Sequence, residues 1–139
     1  MPQQHNDNLP APPVQARKLM LSMVQLFEVG RKLSFSIQTN DDQTRRDLVT
    51  GAGMELERIV NRLRMTELPI ATRHAPYRDD TAMLLSVAEI LECGRDLGYA
   101  ALIPPDESRI TKIAGVVAGL ERALRRIWGP MPEPEPLAA

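Results

Sequence analysis

Between Val14 and Gly129 the apolar residues return at alternating steps of three and four, and no stretch alternates with period two long enough to form a strand. A step averaging 3.6 places those residues along one side of a helix. The first such segment spans residues 14–38, with Leu19, Met23, Leu26, Gly30, Leu33 and Ile37 on its stripe and Met20, Phe27 and Ser34 widening it. The second spans 42–67, with Val49, Ala52, Leu56, Ile59 and Leu63. The third spans 80–101, with Leu84, Val87, Leu91, Gly94 and Gly98. The fourth spans 106–128, with Ile110, Ile113, Val117, Leu120, Leu124 and Ile127.

The breaks between segments carry helix start and stop chemistry. Pro12-Pro13 precede the first segment, where a missing N–H costs nothing. Thr39, Asn40, Asp41 and Asp42 are candidate N-caps for the second, and Asp79, Asp80 and Thr81 for the third. Pro69, Pro104-Pro105 and Gly129-Pro130 stop the second, third and fourth segments. The first and last connections are about four residues long, which makes the helices they join antiparallel neighbours. The middle connection, PIATRHAPYRD, is long enough for a crossover. The expected fold is all-α: an antiparallel four-helix bundle over residues 14–129. It is flanked by an extended N-terminal arm (1–13) and a Pro-rich C-terminal tail (130–139), which reads PMPEPEPLAA.

With 139 residues the chain has room for one domain, and at this size it buries enough surface to fold without staples. One cysteine excludes a disulfide framework and a multi-cysteine zinc site. A formal charge of −1 provides no global field toward nucleic acid or membrane. The most apolar stretch, 82–103, is interrupted by Glu89, Glu92, Arg95 and Asp96, so no membrane span is expected. The first fifteen residues lack a basic region followed by an apolar one, which argues against a signal peptide and for a cytoplasmic protein with Cys93 as a free thiol.

No catalytic, metal or cofactor constellation emerges. The only histidines are His5, in the arm, and His74, in the middle connection, and no Glu-x-x-His pair exists. Cys93 sits among apolar neighbours on a helix, where a thiol is structural. Glu89, Glu92 and Asp96 share one helical face, but a carboxylate metal cage draws ligands from at least two helices and interrupts their apolar stripes. VTGAGMEL, around Gly51 and Gly53, lacks the lysine and preceding strand of a phosphate loop. The expectation is no enzyme, no metal and no cofactor.

What remains points to contact with macromolecules. Fourteen arginines stand against three lysines. In the second segment Arg45, Arg46, Arg58, Arg62 and Arg64 are prominent; Arg122, Arg125 and Arg126 cluster near the end of the fourth, where cations also complement the helix dipole. Should the two groups coincide in space, they would suit a phosphate backbone or an acidic protein surface. The first segment is apolar almost all round, which suggests burial on more than one face by a second subunit. Met20 and Met23 fall near its stripe, whereas Met54, Met65 and Met83 fall off the stripes of their segments. Gly94/Gly98 and Gly115/Gly119 suggest close packing of the third helix on the fourth, and Gly51/Gly53 a bend in the second.

The expected role is a small non-enzymatic adaptor or inhibitor, of the kind common among phage and mobile-element accessory proteins, that binds a protein partner and forms a homo-oligomer. Met20 and Phe27 would supply apolar contact, with Arg45, Arg46, Arg58, Arg62, Arg122, Arg125 and Arg126 as a polar rim. Two other readings stay open: a nucleic-acid-binding accessory factor, and an oligomeric binder of a small ligand such as a nucleotide.

Overall fold

The computed structural model describes residues 14–66, 70 and 79–129. The expected arms (1–13 and 130–139) and most of the middle connection, including His74, lie outside the described residues. Four helices make up the fold: α1 (Ala16–Gln38), α2 (Asp42–Arg64), α3 (Asp80–Leu102) and α4 (Glu107–Trp128). Three of them begin on an aspartate. The carboxylate of Asp41 accepts from the Thr44 N–H at 3.0 Å, that of Asp79 from Ala82 at 2.8 Å, and that of Asp106 from Ser108 at 2.9 Å. Each bond satisfies one of the donors that a helix start leaves free. At the other ends, Met65 closes α2 in the left-handed conformation (φ 58°) and Gly129 follows α4 at φ 82°.

Packing runs α1 on α2, α2 on α4, α4 on α3 and α3 on α1, a closed ring around one core. Contacts between residues fix the directions. Gly30 lies by Leu91, Gly94 by Phe27 and Gly98 by Met23, so α1 and α3 are antiparallel. Arg62 reaches Ser22 and Arg45 reaches Thr39, so α1 and α2 are antiparallel. Gly53 against Trp128 and Arg64 against Glu121 give the same relation for α2 and α4. Glu89 against Arg126 and Ala100 against Arg109 give it for α3 and α4. Every neighbouring pair is therefore antiparallel, and α2 runs parallel to α3 on the diagonal. The end of α2 and the start of α3 consequently lie at opposite ends of the bundle.

The core is built from Leu19, Leu26 and Leu33 of α1, Leu56 and Ile59 of α2, Ile90 and Leu97 of α3, and Leu120 and Ile127 of α4. The expected stripe of α2 is buried in full. The stripes of α1 and α4 also face the core, with Met23, Ile37 and Leu124 partly buried, apart from Ile110; that of α3 is turned. In α1, burial extends through Ser22, Val29 and Ser36 on the α2 side, while Met20 and Phe27 stay exposed. In α3 the buried set is Met83, Ser86, Ile90, Cys93, Gly94, Leu97 and Ala100, and the expected core residues Leu84 and Leu91 face outward. This helix is apolar over more than half its circumference, so periodicity alone does not choose between two stripes one residue apart. In α4 the buried position near the start is Arg109, not Ile110.

The glycines serve close approach, though not where the spacing suggested. Gly94 and Gly98 receive Phe27 and Met23 of α1 rather than α4. Gly119 does face α3: a Cβ there would stand 2.8 Å from the Cys93 Sγ. Gly53 lies under the Trp128 indole, where a Cβ would stand 2.8 Å from Cε2. That contact accounts for Gly53, and α2 is a single continuous helix from Asp42 to Arg64.

Candidate interaction surface

Turning α3 by one position about its axis has a consequence for the surface. Residues of α1 that point away from α2 are Met20, Val24, Phe27 and Arg31, spaced by three and four. Residues of α3 that point away from α4 are Leu84, Ala88, Leu91, Arg95 and Leu102. Since α1 and α3 are neighbours, these two rows form one outward layer. Met20, Val24, Leu84 and Tyr99 each keep more than half their surface in solvent, and Leu102 keeps 84%. A groove of about 440 Å³ runs along this layer, lined by Met20, Met23, Phe27, Arg95, Tyr99 and Leu102. Arg95 makes no ion pair among the described residues, and Arg31 stacks 5.6 Å over the Phe35 ring.

Of the site residues expected from the sequence, Met20 and Phe27 belong to this layer. The arginines do not join them. Arg45 donates to the Thr39 carbonyl at 2.6 Å and fastens the start of α2 to the end of α1. Arg58 pairs with Glu55 at 3.0 Å on its own helix. Arg62 donates to the Ser22 hydroxyl at 3.1 Å and to the Gln25 side chain, bridging α2 to α1. Arg122 and Arg126 both donate to Glu89 of α3, at 3.1 Å and 2.8 Å. Arg46 is exposed on the first half of α2. Arg125 lines a separate cleft of about 310 Å³ between α2 and α4, beside Trp128, Leu124 and the Arg64–Glu121 ion pair.

The arginines of α2 and α4 are therefore not gathered on one face, although Arg64 and Arg125 line the same cleft. Arg62 is spent on α1 and Arg122 with Arg126 on α3, at opposite sides of the ring. Arg122 and Arg126 share the one negative charge of Glu89, whereas the partners of Arg62 are uncharged.

Acidic residues are similarly engaged. Glu89 takes two arginines and Asp96 faces Lys112 at 3.7 Å. Among the described residues no three His, Cys, Asp or Glu side chains converge as metal ligands. Cys93 is buried, with its Sγ 3.7 Å from the Val116 carbonyl. Burial, reinforced by Glu89 and Asp96, pushes its thiol pKa up to about 12. At neutral pH such a thiol is not a nucleophile. Among the described residues no helix is long and apolar enough to cross a membrane.

The α3 half of the layer, including Leu84, Leu91, Arg95, Tyr99 and Leu102, was not anticipated as surface. Its signal was present as a second apolar row in α3, adjacent to the buried one. Compared with protein-family models, curated proteins and solved structures, the chain matches none.

Proposed function

We propose that this protein is a small, non-enzymatic interaction module, an adaptor or inhibitor that works by laying its α1/α3 face on another protein. One observation carries the reading. Of the twelve large apolar side chains that the described residues leave exposed, five are on α1 and five on α3. Single exposed apolar residues are ordinary, but a contiguous patch in a small protein marks a contact surface. Methionine and aromatic side chains within it, here Met20, Met23, Phe27 and Tyr99, adapt to a partner and supply large contact area. The internal pairing of Arg62, Arg122 and Arg126 favours a protein partner over nucleic acid.

The test is capture from host lysate with tagged wild type, nuclease-treated, against Met20→Asp/Leu102→Asp and Arg46→Ala/Arg58→Ala variants. A stoichiometric protein lost only with the first variant supports the reading. Equal capture by that variant, or recovered material that disappears with nuclease, overturns it.

A further inference from the structure

Resting on the reading of the α1/α3 face as a binding surface, we propose that its occupant is an acidic amphipathic helix of a partner protein. Its apolar side lies along the groove, and two of its carboxylates, about two turns apart, meet Arg17 and Arg95.

The groove sets the conformation of the occupant. It follows the seam between α1 and α3, with Met20 and Phe27 on one wall and Tyr99 and Leu102 on the other. Gly98 and Ala101 leave the seam low, since neither raises a long side chain there. Both walls are the middles of helices, whose backbone N–H and C=O groups are already paired inside α1 and α3. A strand laid on these walls finds no backbone partner and buries its own polar groups unpaired. A helix satisfies its backbone internally and offers the groove only side chains, at steps of three and four.

The charges set its composition. Arg95 is the one charged side chain that lines the groove among the described residues, and it makes no ion pair there. Arg17 lies three residues before Met20 and seven before Val24, so it continues the outward row of α1 beyond the groove. It too is exposed and without an ion pair among the described residues. Arg31, on the same row, already has Glu28 at 3.8 Å. The acids of α3 do not answer Arg95. Glu89 holds Arg122 and Arg126, Asp96 faces Lys112, and Glu92, three residues from the one and four from the other, shares their side toward α4. The groove is thus apolar with uncompensated positive charge, and a partner that covers Arg95 without supplying a carboxylate strands that charge.

The spacing follows from the register. Gly98 stands level with Met23, so Arg95 stands level with Leu26, nine residues from Arg17. At about 1.5 Å per residue the two arginines are roughly 13 Å apart along the groove. On the occupant, acids seven or eight residues apart, about two turns, match that distance within the reach of the side chains. An anionic membrane is the poorer fit, because membrane attraction draws on clusters of about four to eight Lys or Arg and this face has two outside intramolecular pairs.

Selection from a random peptide display library on the immobilised full chain tests the proposal, with circular dichroism melts confirming that each variant folds. Enriched peptides should carry apolar residues at helical spacing and Asp or Glu about two turns apart. A synthetic peptide of that sequence should bind Arg17→Glu/Arg95→Glu at least about tenfold more weakly than wild type. Replacing its acids with lysine should restore binding to that variant. Enriched peptides without an acidic bias, or rich in proline, overturn the occupant; if they are lost with Met20→Asp/Leu102→Asp, the α1/α3 face itself still stands. Peptides that bind Met20→Asp/Leu102→Asp as well as wild type overturn the face. An empty selection overturns the occupant, as does pelleting of the wild type, but not of Met20→Asp/Leu102→Asp, with vesicles of phosphatidylserine and phosphatidylcholine.

Discussion

The guanidinium of Arg109 closes a helix to which it does not belong. It is almost fully buried, and it donates to the carbonyls of Ala100 at 2.8 Å, Ala101 at 3.3 Å and Ile103 at 2.8 Å, at the end of α3. Those carbonyls have no partner inside their own helix, and the negative end of the helix dipole lies there. Arg109→Ala should therefore lower stability by about 2–3 kcal/mol in urea denaturation. Arg109→Lys should recover little, since an ammonium does not reproduce the planar fork. Nothing in the sequence singled out Arg109: it stands beside Ile110, and apolar periodicity awards the buried position to the isoleucine. Cys93 is the opposite case, a thiol whose buried character was legible from its apolar neighbours. Its raised pKa sets a sign. The folded state holds the thiol proton more tightly than the unfolded chain, so the contribution is complete below the unfolded value of 9.0 and is lost as pH rises toward about 12. Thermal melts from pH 8 to 11 should show a steeper decline for wild type than for Cys93→Ala, and the folded thiol should resist alkylation at neutral pH.

At the scale of the helix, the glycines divide into two kinds that sequence spacing does not distinguish. Gly51 and Gly115 have open space where a Cβ would go, and neither has positive φ. Gly51→Ala and Gly115→Ala should each stabilise the fold by about 0.5–1 kcal/mol, the ordinary difference between glycine and alanine within a helix. Gly53 and Gly119 are occupied from across the bundle by Trp128 and Cys93. Gly53→Ala should cost about 1–3 kcal/mol, because the indole has to shift inside a packed interior. Urea midpoints for the three variants check both signs. The same contrast explains which helices were readable. The α2 stripe of Val49, Ala52, Leu56, Ile59 and Leu63 is flanked by arginine, glutamate and asparagine, so only one face is fit for burial. In α3, Leu84 and Leu91 lie beside Met83 and Ile90, and either row makes an acceptable core stripe. Which one is buried is decided by α1 and α4, through contacts that hydrophobic periodicity within one helix does not encode.

For the molecule as a whole, α3 carries an apolar row that the core does not use. A bundle of this size needs one apolar stripe per helix, and Leu19, Leu56, Ile90, Leu120 and their neighbours supply it. Met20 and Phe27 were legible as apolar residues outside the core because α1 is visibly apolar beyond one stripe. Their counterparts Leu84 and Leu91 on α3 were hidden by being counted as core, and of the arginines expected at a rim Arg45, Arg62, Arg122 and Arg126 reach a neighbouring helix while Arg46, Arg58 and Arg125 do not. The apolar layer that remains, with Leu84 more than half exposed and Leu102 nearly free, adds little to the monomer. Leu84→Gln/Leu102→Gln should accordingly leave the urea unfolding free energy of the monomer within about 0.5 kcal/mol of wild type. The same variant should bind less of a hydrophobic dye and capture less of a protein partner. A loss of 2 kcal/mol or more, by about the measure of a buried leucine, would mean that these side chains pack within the monomer. Unchanged stability with lost association would mean that α3 carries a second apolar row because a surface outside the bundle core needs it.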